Sequence, residues 1–341
     1  MIPAAARPAL PHRAAGALLA AVLLAMGAAA PAQARQDKAA RKGEFSVALL
    51  GHSFRNGQGS ATPADGAAPD PAAGGPAGAD ATLRRLLAEA GQAEPAFIIA
   101  TGIKGAREPC SDRLYAERRE LMDSAARPLV LLPAGSDWTE CRNSNGKSNA
   151  SERLNRIREL FFAAPEALGK GKLVLNRQSA IAKFRDYAEN AYWEHENILF
   201  VTLNVPAKNN HYLSEAGRNS EYEDRMVANR AWLQRAFLLA KRKKLPGMVL
   251  LMEGDIGAHV EQGFFARLAQ NKDGFTETRR LVRSLADKYP GQLLLVDTRK
   301  QDKAAAAIEW HKNIGHLALG AEWSALRVIP GSAALFTLGA D

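Results

Sequence analysis

Short apolar runs alternating with amphipathic helical stretches restrict this chain to very few folds. "FSVALL" (Phe45 to Leu50), "PAFIIATG", "RPLVLLPAG", "ENILFVTLNV" (Glu196 to Val205), "GMVLLMEGD" and "QLLLVDT" each read as a buried strand ended by Gly, Pro or Asp. Between them, "TLRRLLAEAG" from Thr82, "SDRLYAERRELMDSA" with Ser111 as N-cap, "SERLNRIRELFFA" with a serine before its first turn, and "TETRRLVRSLADKY" carry helical periodicity. The clearest helix runs from about Ser220 to Lys243, where Ala228, Trp232, Ala236 and Leu239 line one apolar face with Leu233 and Phe237 beside them. Strands alternating with helices over short connections imply βαβ units and mostly parallel sheets. The expected fold is one α/β domain, a two-sheet β-sandwich flanked by helices. The tail, "IGHLALGAEWSALRVIPGSAALFTL", reads as a hairpin or meander finishing the second sheet.

The first 34 residues stand apart. Arg7 and Arg13 precede the apolar run "AAGALLAAVLLAMGAAA", which ends in "PAQA". That order describes a secretory signal peptide cleaved near Ala34, and the run is too short and too rich in Ala and Gly for a membrane span. The expectation is a periplasmic or secreted domain over 35–341. From Asn56 to Asp80 the chain is nearly all Gly, Ala, Pro, Asp and Ser, with nothing large enough to offset the entropy of ordering, so it reads as a disordered insertion.

The net charge is +9, and its one dense run is "KRKK" at Lys241 to Lys244. Cations at a helix C-terminus favour the macrodipole, and no basic stripe is interleaved with aromatics, which argues against a nucleic-acid partner. Two cysteines, Cys110 and Cys141, imply one disulfide in an exported chain; it would close a loop of roughly 30 residues.

The string "REPCSDRLYAERRELMDSAARPLVLLPAGSDWTECRN" resembles a bacterial exported branch of the calcineurin-like metallophosphoesterases, whose corresponding stretch contains a "GDIKSG" loop, a "PCSD..Y..R" helix and a "PGDNEWTDC" loop. "NILFVTLNVPAKNN", "ANRAWLQRAF" and "NIGHLALGAEWSALRVIPGS" are similar to later parts of that branch. The resemblance implies an αββα fold, a Cys110–Cys141 pair and two-metal phosphoester hydrolysis, in which paired ions clamp the phosphate and activate water.

At the ligand positions this chain departs from the pattern. Where the resemblance places Gly-Asp after the first strand, Gly51-His52 stands; the bridging aspartate falls on Gly102. Ser136 stands where a ligand Asn belongs, in the order Ala134-Gly135-Ser136-Asp137. Glu253-Gly254-Asp255 occupies a position where many superfamily members present histidine, and the last strand ends Asp297-Thr298-Arg299, with Arg299 replacing a histidine. An arginine is permanently cationic and repels a metal. Each remaining group also has an ordinary use: Asp caps and turns the backbone, and a histidine in a polar turn is commonly just hydrogen-bonded. His311 and His316, five apart, read as surface residues; His195 and His211 have no evident partner.

The expectation is a phosphoesterase-fold pseudoenzyme that binds rather than hydrolyses, without a cofactor. An anionic or phosphate-containing ligand would meet Arg299, Lys104 and Arg107 near the old cleft. The alternative is an active metal-dependent hydrolase rebuilt on His52, Asp137, Glu253, Asp255 and Asp297 with a divalent metal pair. A third reading uses the insertion as a flexible arm for a protein partner.

Overall fold

The computed structural model describes residues 43–54, 76–215, 217–260, 273–298 and 307–339. The expected leader, most of the Asn56 to Asp80 insertion and Arg299 lie outside the described residues.

Twelve strands among those residues form two sheets. In chain order they are β1 (Phe45–Leu50), β2 (Phe97–Thr101), β3 (Leu129–Leu132), β4 (Asn176–Arg177), β5 (Ala191–His195), β6 (Ile198–Thr202), β7 (Gly247–Leu251), β8 (Gln292–Asp297), β9 (Glu309–His311), β10 (Ile314–Ala318), β11 (Trp323–Val328) and β12 (Phe336–Leu338). The first sheet has the order β12-β11-β1-β2-β3 and the second β4-β5-β6-β7-β8-β10-β9. β1, β2 and β3 pair parallel, as do β6, β7, β8 and β10; β3 is thus a parallel edge, while the β11–β12, β4–β5 and β9 edges pair antiparallel. The helices are α1 (Pro76–Gln92), α2 (Asp112–Asp123), the single turn α3 (Gly135–Trp138), α4 (Ala150–Phe161), α5 (Ser220–Lys243) and α6 (Thr276–Ala286).

Strand alternation sorts the apolar residues into three cores. Val47, Leu49, Phe97 and Ile99 face Phe200, Val249, Leu251, Leu294 and Val296 between the sheets. Their neighbours Ala48, Leu50, Ile98 and Ala100 turn outward onto α1, α2 and α4 through Leu86, Tyr115, Met122 and Ile157. On the second sheet, Leu199, Val201, Met248, Leu250, Leu293 and Leu295 turn outward onto α5 and α6 through Trp232, Phe237 and Val282. Because both faces of each central strand are covered, the strands read as continuous apolar runs rather than as alternating ones. Trp232 is core, as its place on the apolar face of α5 predicts.

Three expectations change. The tail is shared between the sheets: β9 and β10 complete the second, while β11 pairs antiparallel with β1 and, with β12, forms the edge of the first. The crossing passes at Gly320, whose carbonyl oxygen would lie 1.9 Å from a Cβ at Gly51, so Gly51 leaves room for the closing strand. Second, α1 begins at Pro76 rather than Thr82, so residues 76–80 of the supposed disordered insertion are helical. Proline suits a first helical position, and Asp80 is fastened to the buried Arg118 at 2.5 Å. Third, the N-cap of α4 is Asn149, with Ser151 inside the first turn. Ser111 caps α2 as expected, accepting from the Leu114 N–H.

Among the described residues no helix is long and apolar enough to cross a membrane. Cys110 and Cys141 form a disulfide, joining the start of α2 to the segment after α3.

Candidate functional site

Parallel strands leave their C-terminal ends at one edge of each sheet, the usual place for function in such folds. Here β1, β2 and β3 deliver His52, Gly102 and the Ala134–Asp137 turn, and β7 and β8 deliver Glu253 and Asp297. The described residues expected at the site separate into two clusters with different chemistry.

In the first, almost every polar group is engaged internally. Gly102 has φ +84°, and a Cβ there would lie 3.0 Å from His52 Nε2 and 3.1 Å from Cε1. The imidazole therefore fills the space that any side chain at Gly102 would need. His52 Nε2 lies 2.7 Å from Ser136 Oγ, and that hydroxyl in turn donates to the Lys104 carbonyl at 2.9 Å. A hydroxyl has one proton to give, so Nε2 of His52 is the donor to Ser136 and has no lone pair for a metal. Lys104 is buried, with its ammonium donating to the carbonyls of Gly105 and Ser136, both at 2.8 Å. Burial lowers its pKa, against the pull of Asp137. This withdraws Lys104 from the expected anion pocket; Arg107 is exposed.

Asp137 is fully buried and fastens two loops. Its Oδ1 accepts from the N–H groups of Ile103 (2.9 Å) and Lys104 (3.0 Å), and its Oδ2 from Ala134 (2.7 Å). The last is the reach of an N3 carboxylate back to its N-cap, so α3 explains why an aspartate sits here. Burial pushes this carboxyl up to about 6, opposed by those three N–H groups and the Lys104 ammonium. Glu253, also buried, accepts at Oε2 from Gly135 N–H (2.6 Å) and Ala207 N–H (2.9 Å). It thereby ties the turn after β3 in one sheet to the segment after β6 in the other.

Behind this cluster, Arg118 is fully buried. It donates to Asp80, to the Ile103 carbonyl at 2.9 Å and to Glu108 at 2.7 Å, with its guanidinium 4.3 Å from the Phe54 ring centroid. The segment from Ile103 to Glu108, where the resemblance puts its second metal loop, is thus held by Arg118, Asp137 and Lys104.

The second cluster lies on the opposite face of the second sheet. Val249 and Leu251 point between the sheets, and Glu253 continues that parity. Leu293, Leu295 and Ile314 point outward to the helices, and Asp297 and His316 continue theirs. His316 is buried, which overturns its reading as a surface residue: β10 is a covered inner strand, and helix spacing from His311 does not apply there. Its Nε2 lies 2.6 Å from Asp297 Oδ2. His259 stacks on it, centroids 3.7 Å apart and planes 2° from parallel, and Asp255 Oδ1 lies 3.9 Å from His259 Nδ1. Burial lowers the pKa of His259, and the neighbouring His316 lowers it further. Burial is the largest single influence on His316 and opposes its charge, but the hydrogen bond to Asp297 together with the negative charges of Asp297, Asp255 and Glu309 outweighs it and raises that pKa.

Asp255 and Glu253, expected together at one site, therefore serve different clusters. His259 escaped sequence reasoning because its loop has no periodicity, although Asp255 and His259, four apart just after a strand end, carry the only local signal. Of the other histidines, His195 packs edge-on against Phe45 and Phe97, and His211 against Trp138.

Compared with protein-family models and with curated proteins, the chain matches none.

Proposed function

We propose that this chain is an exported protein of the metallophosphoesterase fold that has lost the dinuclear hydrolytic site and acts by binding. The motif resemblance motivates the family, and the two-sheet αββα architecture with its disulfide is consistent with it. One observation carries the loss of chemistry: the His52 ring occupies the space over Gly102, where the resemblance puts the bridging carboxylate. Asp137 and Glu253, the nearest remaining carboxylates, hold backbone N–H groups instead of an ion. Without a bridge, two cations at short separation have nothing to offset their mutual repulsion, and the stabilisation they give a phosphoryl transition state goes with them.

The test is turnover of an aryl phosphodiester by the purified chain, with Mn²⁺ or Zn²⁺ added after chelation. The expected result is no rate above that of free metal. Metal-dependent turnover abolished by His52→Ala or Asp137→Asn would overturn the reading. The alternative of a hydrolase rebuilt on His52, Asp137, Glu253, Asp255 and Asp297 draws residues from both clusters, and it requires metal-dependent turnover that is lost in His52→Ala and in Asp297→Asn.

A further inference from the structure

We propose that Asp255, His259 and His316 bind a single divalent transition-metal ion, with Asp297 as the positioning residue that orients His316. This does not rest on the phosphoesterase reading. The cluster lies on the helix-covered face of the second sheet, not in the cleft between the sheets, and neither histidine occupies a ligand position carried over from the resemblance.

Three side chains each offer one ligand atom, and these atoms all lie within 4.8 Å of one another. Ligands at about 2.0–2.2 Å from a central ion stand roughly 3–4 Å apart, so the cluster needs only a small contraction to close. Two imidazoles and one carboxylate suit Zn²⁺ and its neighbours rather than Mg²⁺ or Ca²⁺, which prefer oxygen alone. Three protein ligands leave a fourth position of a tetrahedral ion open to water or a ligand.

The surroundings match what a metal site needs. The His316–Asp297 contact is the carboxylate–histidine arrangement that fixes ring orientation and raises basicity. The loop carrying Asp255 and His259 is clamped by α6. Arg279 donates to the Ile256 carbonyl at 2.5 Å, and Arg283 donates to the carbonyls of Gly257 (2.9 Å) and Ala258 (3.0 Å). Above all, His259 Nδ1 is buried and makes no hydrogen bond among the described residues, while its side chain is only 8% exposed. A buried polar atom without a partner is unfavourable, and here it points at a carboxylate beyond hydrogen-bond length. Asp255 Oδ1 already accepts from the Gly257 N–H at 2.6 Å and, as a carboxylate oxygen, has a further lone pair; an ion between the two gives His259 Nδ1 the partner it lacks. Coordination lies in the plane of an imidazole, so binding requires the stacked rings to fan apart; His259 turns without breaking a bond at Nδ1, whereas His316 is held by Asp297.

The experiment is calorimetric titration of untagged, chelator-treated protein with Zn²⁺, with Co²⁺ absorption as an independent report of low-coordinate nitrogen and oxygen ligation. The expected result is one equivalent bound. Asp297→Asn weakens it about 10- to 100-fold, His316→Ala and His259→Gln abolish it, and His52→Ala leaves it unchanged. Should His316→Ala fail to fold because Asp297 is left buried without its partner, His259→Gln decides alone, since it breaks no existing bond at Nδ1. Failure of the wild type to bind Zn²⁺ would overturn the proposal, as would binding unaltered in His259→Gln. Metal binding without phosphodiester turnover supports this site and leaves the proposed loss of hydrolysis standing; turnover that depends on it would overturn only the latter.

Discussion

If the His52 ring fills the space over Gly102, substitutions at these two positions will not be additive. Gly102→Ala introduces a Cβ at φ +84°, where an L-residue is strained by about 1–2 kcal/mol. The same Cβ lies 3.0–3.2 Å from three atoms of the imidazole, so the ring has to retreat by a few tenths of an ångström. The nearest of those atoms is Nε2, which is bonded to Ser136 at 2.7 Å, and stretching that bond removes part of about 0.5–1.5 kcal/mol. Together these give about 2–3 kcal/mol for Gly102→Ala in the wild type. In a His52→Ala background the ring is gone and only backbone strain remains, about 1–2 kcal/mol. The coupling is then about 1 kcal/mol, read from urea midpoints of the four proteins at constant m with the disulfide intact. Equal costs of Gly102→Ala in both backgrounds would refute the packing and, with it, the structural reason given for a missing bridge.

Arg118→Met leaves Glu108 without its buried partner and releases the segment after β2, at a cost of about 3–5 kcal/mol in urea unfolding; a cost below 1 kcal/mol would mean that water replaces the guanidinium. Removing the disulfide by Cys110→Ser with Cys141→Ser frees a 31-residue separation and lowers stability by about 3–4 kcal/mol in the chain-entropy model, measured by the same assay. The Asp137 carboxyl, raised from 3.8 to about 6, binds its proton more tightly folded than unfolded. Its contribution therefore makes stability fall as pH rises from about 4 to about 6 and level off above that, by roughly 2–3 kcal/mol in all. Asp137→Asn flattens this slope relative to wild type, while lowering stability throughout because an amide nitrogen cannot accept from the Ala134 N–H. An unchanged slope in the variant would assign the titration elsewhere.

The parts of the fold legible in the sequence are those set by local periodicity. Phe45 to Leu50 and Ser220 to Lys243 have the bounds that their apolar patterns imply, and Ser111 caps where its side chain can reach the Leu114 N–H. What escaped is non-local. Nothing near Trp323 says that its strand will pair with β1, because that choice depends on an edge formed nearly 280 residues earlier and on the clearance at Gly51. The start of α1 escaped for a related reason: an Ala, Gly and Pro composition argues for disorder until Asp80 meets Arg118 across 38 positions. Sequence distance likewise hid the His259–His316 pair, which β7, β8 and β10 bring together from segments with no shared pattern.

The two clusters together show why acidic residues at strand ends are by themselves poor evidence of metal chemistry. A buried carboxylate that holds no ion must be satisfied by other donors, and the strand-end turns around it present N–H groups. Asp137 accepts from three of these and Glu253 from two, so each closes loops at the sheet edge. An aspartate placed at Gly102 is therefore not sufficient to create a metal pair. The incoming ions would compete with five backbone hydrogen bonds, each worth about 1.5–3 kcal/mol when the acceptor is charged, and breaking them would loosen the loops that position the ligands. In the second cluster fewer bonds stand in the way: Asp255 accepts from the Gly257 N–H, but His259 Nδ1 makes no hydrogen bond among the described residues, and Asp297 already holds His316 as a ligand-orienting carboxylate would. At the proposed site, metal affinity depends on ligand atoms that few hydrogen bonds already occupy, not on how many acidic residues stand at the strand ends.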